Sequence, residues 1–352
     1  MKRIIFIVFL LFIPVPPFAA IIKDGTLESK INGRSFPYVV ILPVKYDSLV
    51  QSGKRFPVLY MLHCAGCDHK TPLTPGGGEF QKYIDNAGFI MAIPHDGSIT
   101  EAKPFSWWLD SPLLAGQKLS SFLVKEFKPH IDSLYATLPQ SDNTGLCGHS
   151  MGGFGSLHNL IKHPDLFSSA YSFKGGYDIS YPHNSNWSSY FSLDILLGTD
   201  KQHASNWNSV NVFKTVPGLS GKQKKIAFYA GVNDSWFYDE AVKLHELMDS
   251  LKIAHTFYTT NELHFGVPAK QAKAAIHFFD TAFTYSSHIK QVPSGYIRID
   301  QLGRSNTGLL LYNILGRNVS IKNIISRKVP GVYLTKETSA NRTQSGLIVV
   351  IP

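Results

Sequence analysis

Residues 145–156 read GLCGHSMGGFGS, a short apolar run followed by Ser150 with Gly148 and Gly152 at G-x-S-x-G spacing, then Gly153 and Gly155. An ordinary strand-to-helix connection needs one or two glycines. A denser cluster means that the backbone passes close to other atoms on several sides, where a Cβ would collide. The pattern predicts a strand, then a sharp turn that lifts the Ser150 hydroxyl above the sheet edge, then a helix starting beneath it.

The rest of the chain supplies such a sheet. YVVILPVKY (38–46), FPVLYMLH (56–63), FIMAIP (89–94), TGLCG (144–148), FSSAYSFKG (167–175), KIAFYAG (225–231) and HTFYTT (255–260) read as strands rich in Val, Ile, Leu and aromatics. Between them, 119–135 carries Phe122, Leu123, Phe127, Ile131 and Leu134 near helical period, and 152–162, 238–251 and 268–283 read as helices. Alternation of this kind predicts an α/β fold, a mostly parallel sheet with helices on both faces and ligands at the carboxyl ends of the strands. Residues 177–221 interrupt it with an Asn-, Ser- and aromatic-rich excursion, expected to form a lid or pocket wall.

At 352 residues the chain exceeds the usual size of a single core, so one large domain with a small appendage, or two domains, is expected. MKRIIFIVFLLFIPVPPFAA, with Lys2 and Arg3 before an apolar run, reads as a signal peptide at 1–20. That places the main domain at 21–285, a linker at 286–295 and a small β-rich domain at 296–352. No later run approaches membrane-spanning length, so no integral span is expected. The net charge of +9 is unevenly spread: from Lys290 onward there are nine Lys or Arg against two Asp or Glu. Because most of the charge belongs to the C-terminal module, the basic balance does not mark a nucleic-acid groove around the site. Three cysteines exclude a disulfide framework. Cys64 and Cys67 are either a local disulfide or redox pair, or small residues in a tight loop. No set of ligands at metal spacing accompanies them, and neither metal nor cofactor is expected.

A serine hydroxyl needs a base, and the base needs an orienting group. After the serine turn, the strand 225–231 leads into GVNDSWF and the strand 255–260 into NELHFG. Asp234 and His264 therefore land at the same sheet edge as Ser150, in the order serine, acid, histidine. His264 is assigned as the base and Asp234 as its partner; Asp178, Asp200, His245, His255 and His277 are less well placed. The Met151 amide, at the helix N-terminus, is a candidate oxyanion donor, and Cys64 or Ala65 in LHCAGCDH a second. Trp107 and Trp108, in SWWLDSP, and His149 are candidates to contact substrate, although a paired core role for the tryptophans fits as well.

VLYMLHCAGCDH, SWWLDSP, CGHSMGGFGSL, GVNDSWF and HFG together resemble the esterase D superfamily of α/β-hydrolases, with its S-formylglutathione hydrolases, carbohydrate esterase family 1 feruloyl and acetyl xylan esterases and antigen 85 mycolyltransferases. The resemblance covers about residues 25–285. It implies a serine esterase with the triad Ser150, Asp234 and His264, working through an acyl-enzyme on acetyl or feruloyl esters of plant polysaccharide. An acyltransferase using the same acyl-enzyme and an inactive surface-binding protein are the alternatives. One departure stands out: the family's oxyanion loop is usually His-Gly-x-Gly-Gly, and here cysteines occupy 64 and 67. The tail LLLYNILGRNVS...GVYLTK...GLIVVIP resembles a type IX secretion sorting domain, which implies delivery outside the cell or to its surface and contact with that secretion machinery.

Overall fold

The computed structural model describes residues 20–84, 87–97, 105–180, 193–199 and 201–290, together with 310–313, 318–319, 331–339 and 342–350. Apart from Ala20, the expected signal peptide lies outside the described residues, as do 291–295 of the expected linker. The chain divides into two compact units, Met1–Ser286 and Ser287–Pro352.

Eight strands build the sheet of the first unit: β1 (Ile21–Ser29), β2 (Arg34–Leu42), β3 (Val58–Leu62), β4 (Ile90–Pro94), β5 (Thr144–His149), β6 (Ser169–Phe173), β7 (Lys225–Gly231) and β8 (Thr256–Thr260). Their order is β1-β2-β4-β3-β5-β6-β7-β8. β1 and β2 pair antiparallel, as do β2 and β4, and every pair from β4 through β8 is parallel. β3, β4, β5 and β6 are buried along their whole length, the condition for parallel strands covered on both faces. Side chains sort by parity: Val58, Tyr60 and Leu62 enter one core, Leu59 and Met61 the other.

Helices close both faces. On one, α1 (Met151–Lys162) buries Phe154, Leu157 and Leu160, and α2 (Tyr238–Ser250) buries Ala241, Leu244 and Met248. On the other, α3 (Ala269–Lys290) buries Ala272, Ala275, Ile276 and Phe279. α3 runs on beyond the predicted 283, into the first residues assigned to the linker. The helical stretch after 119 contains a π-turn at Leu123–Phe127. Pro129 follows it, and a widened turn relieves the clash between a proline ring and the carbonyl one turn earlier. Leu134, expected on the buried face, is instead exposed.

β1 is an element that the hydrophobic pattern does not announce. Its sequence IIKDGTLES is largely exposed, because an edge strand needs its partner's backbone bonds more than an apolar face. It is held by a nine-residue register with β2.

The described part of the 177–221 excursion is not a lid. Short helices at Leu193–Leu197, Ala204–Val210 and Val212–Thr215 place Leu196, Trp207, Val210 and Val212 in the same core as α1. Polar ties fix them: Ser111 Oγ donates to the Leu196 carbonyl at 2.7 Å and Trp207 Nε1 to the Gly198 carbonyl at 2.9 Å.

The second unit contains β9 (Leu310–Asn313), β10 (Asn318–Val319), β11 (Gly331–Ser339) and β12 (Arg342–Val350), an antiparallel sheet in the order β10-β9-β11-β12. Among the described residues no helix is long and apolar enough to cross a membrane.

Because Trp207 is fully buried in this core, Trp207→Ala is expected to cost about 3–5 kcal/mol of stability. Urea unfolding measures that loss; an unchanged midpoint would return the excursion to the role of a loose cover.

Candidate active site

Ser150 sits between the end of β5 and the first turn of α1 with φ 56° and ψ −118°, backbone space that a residue with a Cβ seldom enters. Its amide donates to the Phe173 carbonyl on β6 at 2.9 Å. The glycines around it are required by contact. A Cβ on Gly152 would lie 1.9 Å from the Leu62 carbonyl oxygen, and one on Gly148 2.2 Å from the Gly152 carbonyl oxygen. The serine turn thus rests directly on the last residues of β3.

The structure brings Ser150, His264 and Asp234 together. Ser150 Oγ lies 2.8 Å from His264 Nε2, and His264 Nδ1 lies 2.8 Å from Asp234 Oδ2. The other oxygen of Asp234 accepts the amides of Trp236 at 3.0 Å and Phe237 at 3.3 Å. All three side chains are buried. Burial by itself would raise the Asp234 carboxyl, but the hydrogen bond and charge of His264, with the two amides, outweigh it and hold the group below the usual carboxylate range. A carboxylate in that state keeps the His264 proton on Nδ1 and leaves Nε2 free to accept the Ser150 proton.

Met151 is the first residue of α1, so its amide has no partner within the helix. Cys64 and Ala65 line the same cavity as Ser150 and His264. Among the described residues neither donates its amide to a backbone carbonyl. Cys64 and Cys67 form a disulfide, which decides between the two alternatives left open by their spacing.

Trp107 and Trp108 do not contact the cavity as the substrate-binding assignment expected; they take the core role instead. Both are fully buried, and neither lines the cavity. Their consecutive positive φ values, 49° and 52°, turn the chain inward so that the rings fill the core against α1, Trp107 stacking edge-on against Phe154 at 5.4 Å. Trp108 is a strut: its Nε1 donates to the His63 carbonyl at 3.1 Å, and its carbonyl accepts Asn159 Nδ2 at 3.0 Å. It ties the loop after β3 to the serine helix.

His149 borders the cavity, yet its ring is engaged with the base. Nε2–H donates to the His264 carbonyl at 2.9 Å and the two rings stack at 5.4 Å. Burial, then the neighbouring His264, push its pKa down to about 3, so it braces His264 as a neutral group.

A second brace escaped the sequence reading. Lys174, directly after β6, is buried with φ 49°; its Nζ reaches Glu262 Oε2 at 3.3 Å and the Leu263 carbonyl at 2.9 Å. Tyr229 Oη and Gln271 Nε2 also donate to Glu262, at 3.1 and 3.0 Å. This network holds the loop that carries His264. The signal available was two charged residues, in FKG and NEL, at the ends of strands beside those that lead into Ser150 and Asp234.

The cavity beside the triad holds about 610 Å³. Its wall is mostly apolar, with Met61, Pro72, Phe105, Trp236, Phe265 and Val267. Trp236 and Phe265, partly exposed at 41% and 75%, flank His264 with ring centroids 4.8 and 5.7 Å from it. Two side-chain groups have the donor types of a cation site, His63, His95 and Asp96, and His245, Asp249 and His255. Their facing nitrogens are already used: His63 Nε2 accepts the Asp96 amide, His95 Nδ1 accepts the Gly97 amide, and His245 Nδ1 bonds His255 Nε2.

The model of the Esterase family, described as "Putative esterase", matches residues 29–293. An esterase from Mycobacterium tuberculosis is 27% identical over 139 residues, 39% of this chain and 28% of that protein; the match thus spans little more than a quarter of the relative's length. The S-formylglutathione hydrolase of Mus musculus is 24% identical over 230 residues, 61% of this chain and 75% of that protein. Among solved structures, a ferulic acid esterase superposes with TM-score 0.62 at 20% identity, covering 76% of this chain and 99% of its own. The fold expected from the alternation is the one shared with that ferulic acid esterase.

Burial first of all lowers the pKa of His149 and His158 to about 3 and of His95 to about 4, against about 6.5 in an unfolded chain. The unfolded state therefore takes up protons first as pH falls. The stabilisation is complete above about pH 6.5 and is lost progressively as pH falls from there to about 4 for His95 and about 3 for His149 and His158. Thermal unfolding from pH 7 to 4 should show a falling midpoint, with uptake near pH 5 of up to about three protons from these rings. His158→Asn should reduce that uptake by about one; a flat profile would show that the rings are solvated.

Proposed function

Since this chain belongs to the esterase family, we propose that it hydrolyses carboxylic esters through an acyl-enzyme on Ser150. The observation that carries this reading is the unbroken chain from Ser150 through His264 to Asp234, set in a strained turn at the rim of an apolar cavity. Ser150 Oγ attacks the ester carbonyl as His264 Nε2 takes its proton. The negative oxygen of the tetrahedral intermediate faces the Met151 amide and one from the loop after β3. His264 then protonates the leaving alkoxide, and a water activated by the same nitrogen releases the acid.

The substrate we infer is an acetyl or feruloyl ester on polysaccharide. An apolar wall with Phe105, Trp236 and Phe265 suits a planar aryl acyl group, or the face of a sugar ring, by stacking. Ferulic acid esterases are among the structural neighbours, which supports the aryl acyl group. A secreted or surface location is part of the same reading: the basic, apolar N-terminus and the type IX-like tail favour it. A disulfide at the cavity edge suits an oxidising compartment.

The test is acid release from acetyl, butyryl and feruloyl esters, including acetylated and feruloylated xylan, by wild type beside Ser150→Ala and Asp234→Asn. Asp234→Asn is expected to lose roughly 10,000-fold in kcat and Ser150→Ala roughly a million-fold, both with the fold intact. Preference for feruloyl over butyryl esters would support the aromatic subsite. Absence of turnover on every ester by folded wild type would overturn the reading.

A further inference from the structure

The disulfide occupies the place where the resembling family packs glycines. His63 is fixed from three sides: its carbonyl accepts Trp108 Nε1, its Nδ1–H donates to the Cys64 carbonyl at 2.9 Å, and its Nε2 accepts the Asp96 amide at 3.1 Å. Beyond the turn, Asp68 Oδ1 accepts the amides of Lys70 at 2.9 Å and Thr71 at 2.7 Å. Between these anchors the backbone of 64–67 has a single internal hydrogen bond, Cys67 N–H to the Cys64 carbonyl at 3.1 Å. Gly66 has φ 70°. What else holds the turn is the Cys64–Cys67 bond.

We propose that the Cys64–Cys67 disulfide is a positioning element of the reaction: it holds the turn that offers the Cys64 or Ala65 amide to the oxyanion, replacing the glycine-rich packing. The inference rests on the esterase reading of Ser150. A bond spanning so short a loop removes little chain entropy from the unfolded state, so its main effect is local. Both sulfurs belong to half-buried residues at the cavity rim, and Gly66 between them is exposed, so a small dithiol can reach the bond. Reduction transfers two electrons and two protons from the dithiol. The Sγ–Sγ bond breaks, Cys64 and Cys67 become thiols, and the reductant leaves as its cyclic disulfide. The turn then keeps only the two hydrogen bonds that end on the Cys64 carbonyl, from His63 Nδ1–H and the Cys67 amide, and the Cys64 and Ala65 amides lose the cross-link that fixes their direction. Misplacing one donor by about an ångström costs on the order of 100-fold in rate, whereas the aromatic part of the cavity wall, Phe105, Trp236 and Phe265, lies outside the turn.

The experiment compares full-length protein oxidised, reduced with dithiothreitol and capped with iodoacetamide, reduced and reoxidised, and as Cys64→Ser/Cys67→Ser. Cys147→Ala serves as control for alkylation elsewhere, because Cys147 is the free cysteine and is buried on β5. Two readouts are followed, kcat and KM on whichever ester the oxidised enzyme turns over, and the rate at which an alkyl fluorophosphonate modifies Ser150. The phosphonyl oxygen needs the same donors as an ester oxyanion. Expected are a fall of about 10- to 100-fold in kcat and in phosphonylation rate, KM within about threefold, an unchanged unfolding midpoint, and recovery on reoxidation. Equal rates in oxidised and reduced protein overturn the inference and leave the esterase reading standing. A parallel loss of unfolding midpoint and of both rates also overturns it, because the bond would then be a structural staple. Oxidised protein that turns over no ester counts against the functional reading instead, and the phosphonylation ratio still decides the role of the disulfide.

Discussion

The site depends on one close approach, the carbonyl of Leu62 against the backbone of Gly152. β3 and β5 are parallel neighbours with Leu62 opposite Gly148, and the turn after β5 folds back so tightly that even a methyl group at 152 would penetrate the β3 carbonyl. That contact sets the distance between the serine turn and the loop that follows β3. It explains why the loop after β3 lies beside the serine turn and why Trp108 spans the same gap from the other side.

The acid and base loops are joined in a comparable way. Val232 N–H donates to the Thr260 carbonyl at 2.7 Å and Asn233 N–H to the Glu262 carbonyl at 3.3 Å. The ends of β7 and β8 are thus zipped past their last paired residues, and Asp234 and His264 are presented by one unit. Lys174 enters that unit from β6 and satisfies Glu262 and the Leu263 carbonyl. Burying an ammonium costs several kcal/mol unless it is paired and fully bonded, so its place here is explained by position: it links the strand that receives the Ser150 amide to the loop that carries the base.

How legible this was in the sequence follows from what kind of information each feature carries. Ser150, Asp234 and His264 were readable because each follows an apolar strand, and a parallel sheet sends the ends of its strands to one edge. The resemblance also named the family that the family model identifies. For Trp107 and Trp108 the sequence left core and substrate contact open, since two adjacent aromatics in a loop have no period; their left-handed backbone, invisible in a sequence, turns them inward. β1 was missed because its partner, not its own side chains, defines it. The described part of the excursion after β6 departs from the expected lid for the converse reason. Its Asn and Ser residues look solvent-facing, but several, such as Asn211, which bonds Asp178 at 2.8 Å, tie the segment down.

The aromatic rim gives the cavity a means of coupling binding to chemistry. Phe265 leaves three quarters of its surface in water beside the base, forgoing part of the roughly 1.5–3 kcal/mol that burial of such a side chain brings. In the proposed reaction a substrate ring recovers it by covering Phe265 and Trp236. Both rings lie next to His264, so the same contact excludes water from the imidazole while the acyl carbonyl is held against Ser150. Only the share of that energy realised as the tetrahedral centre forms accelerates the reaction. A rigid serine turn, a zipped acid–base unit and a fixed oxyanion loop are the elements that allow it to be expressed there, because none of them need move when charge develops on the oxygen.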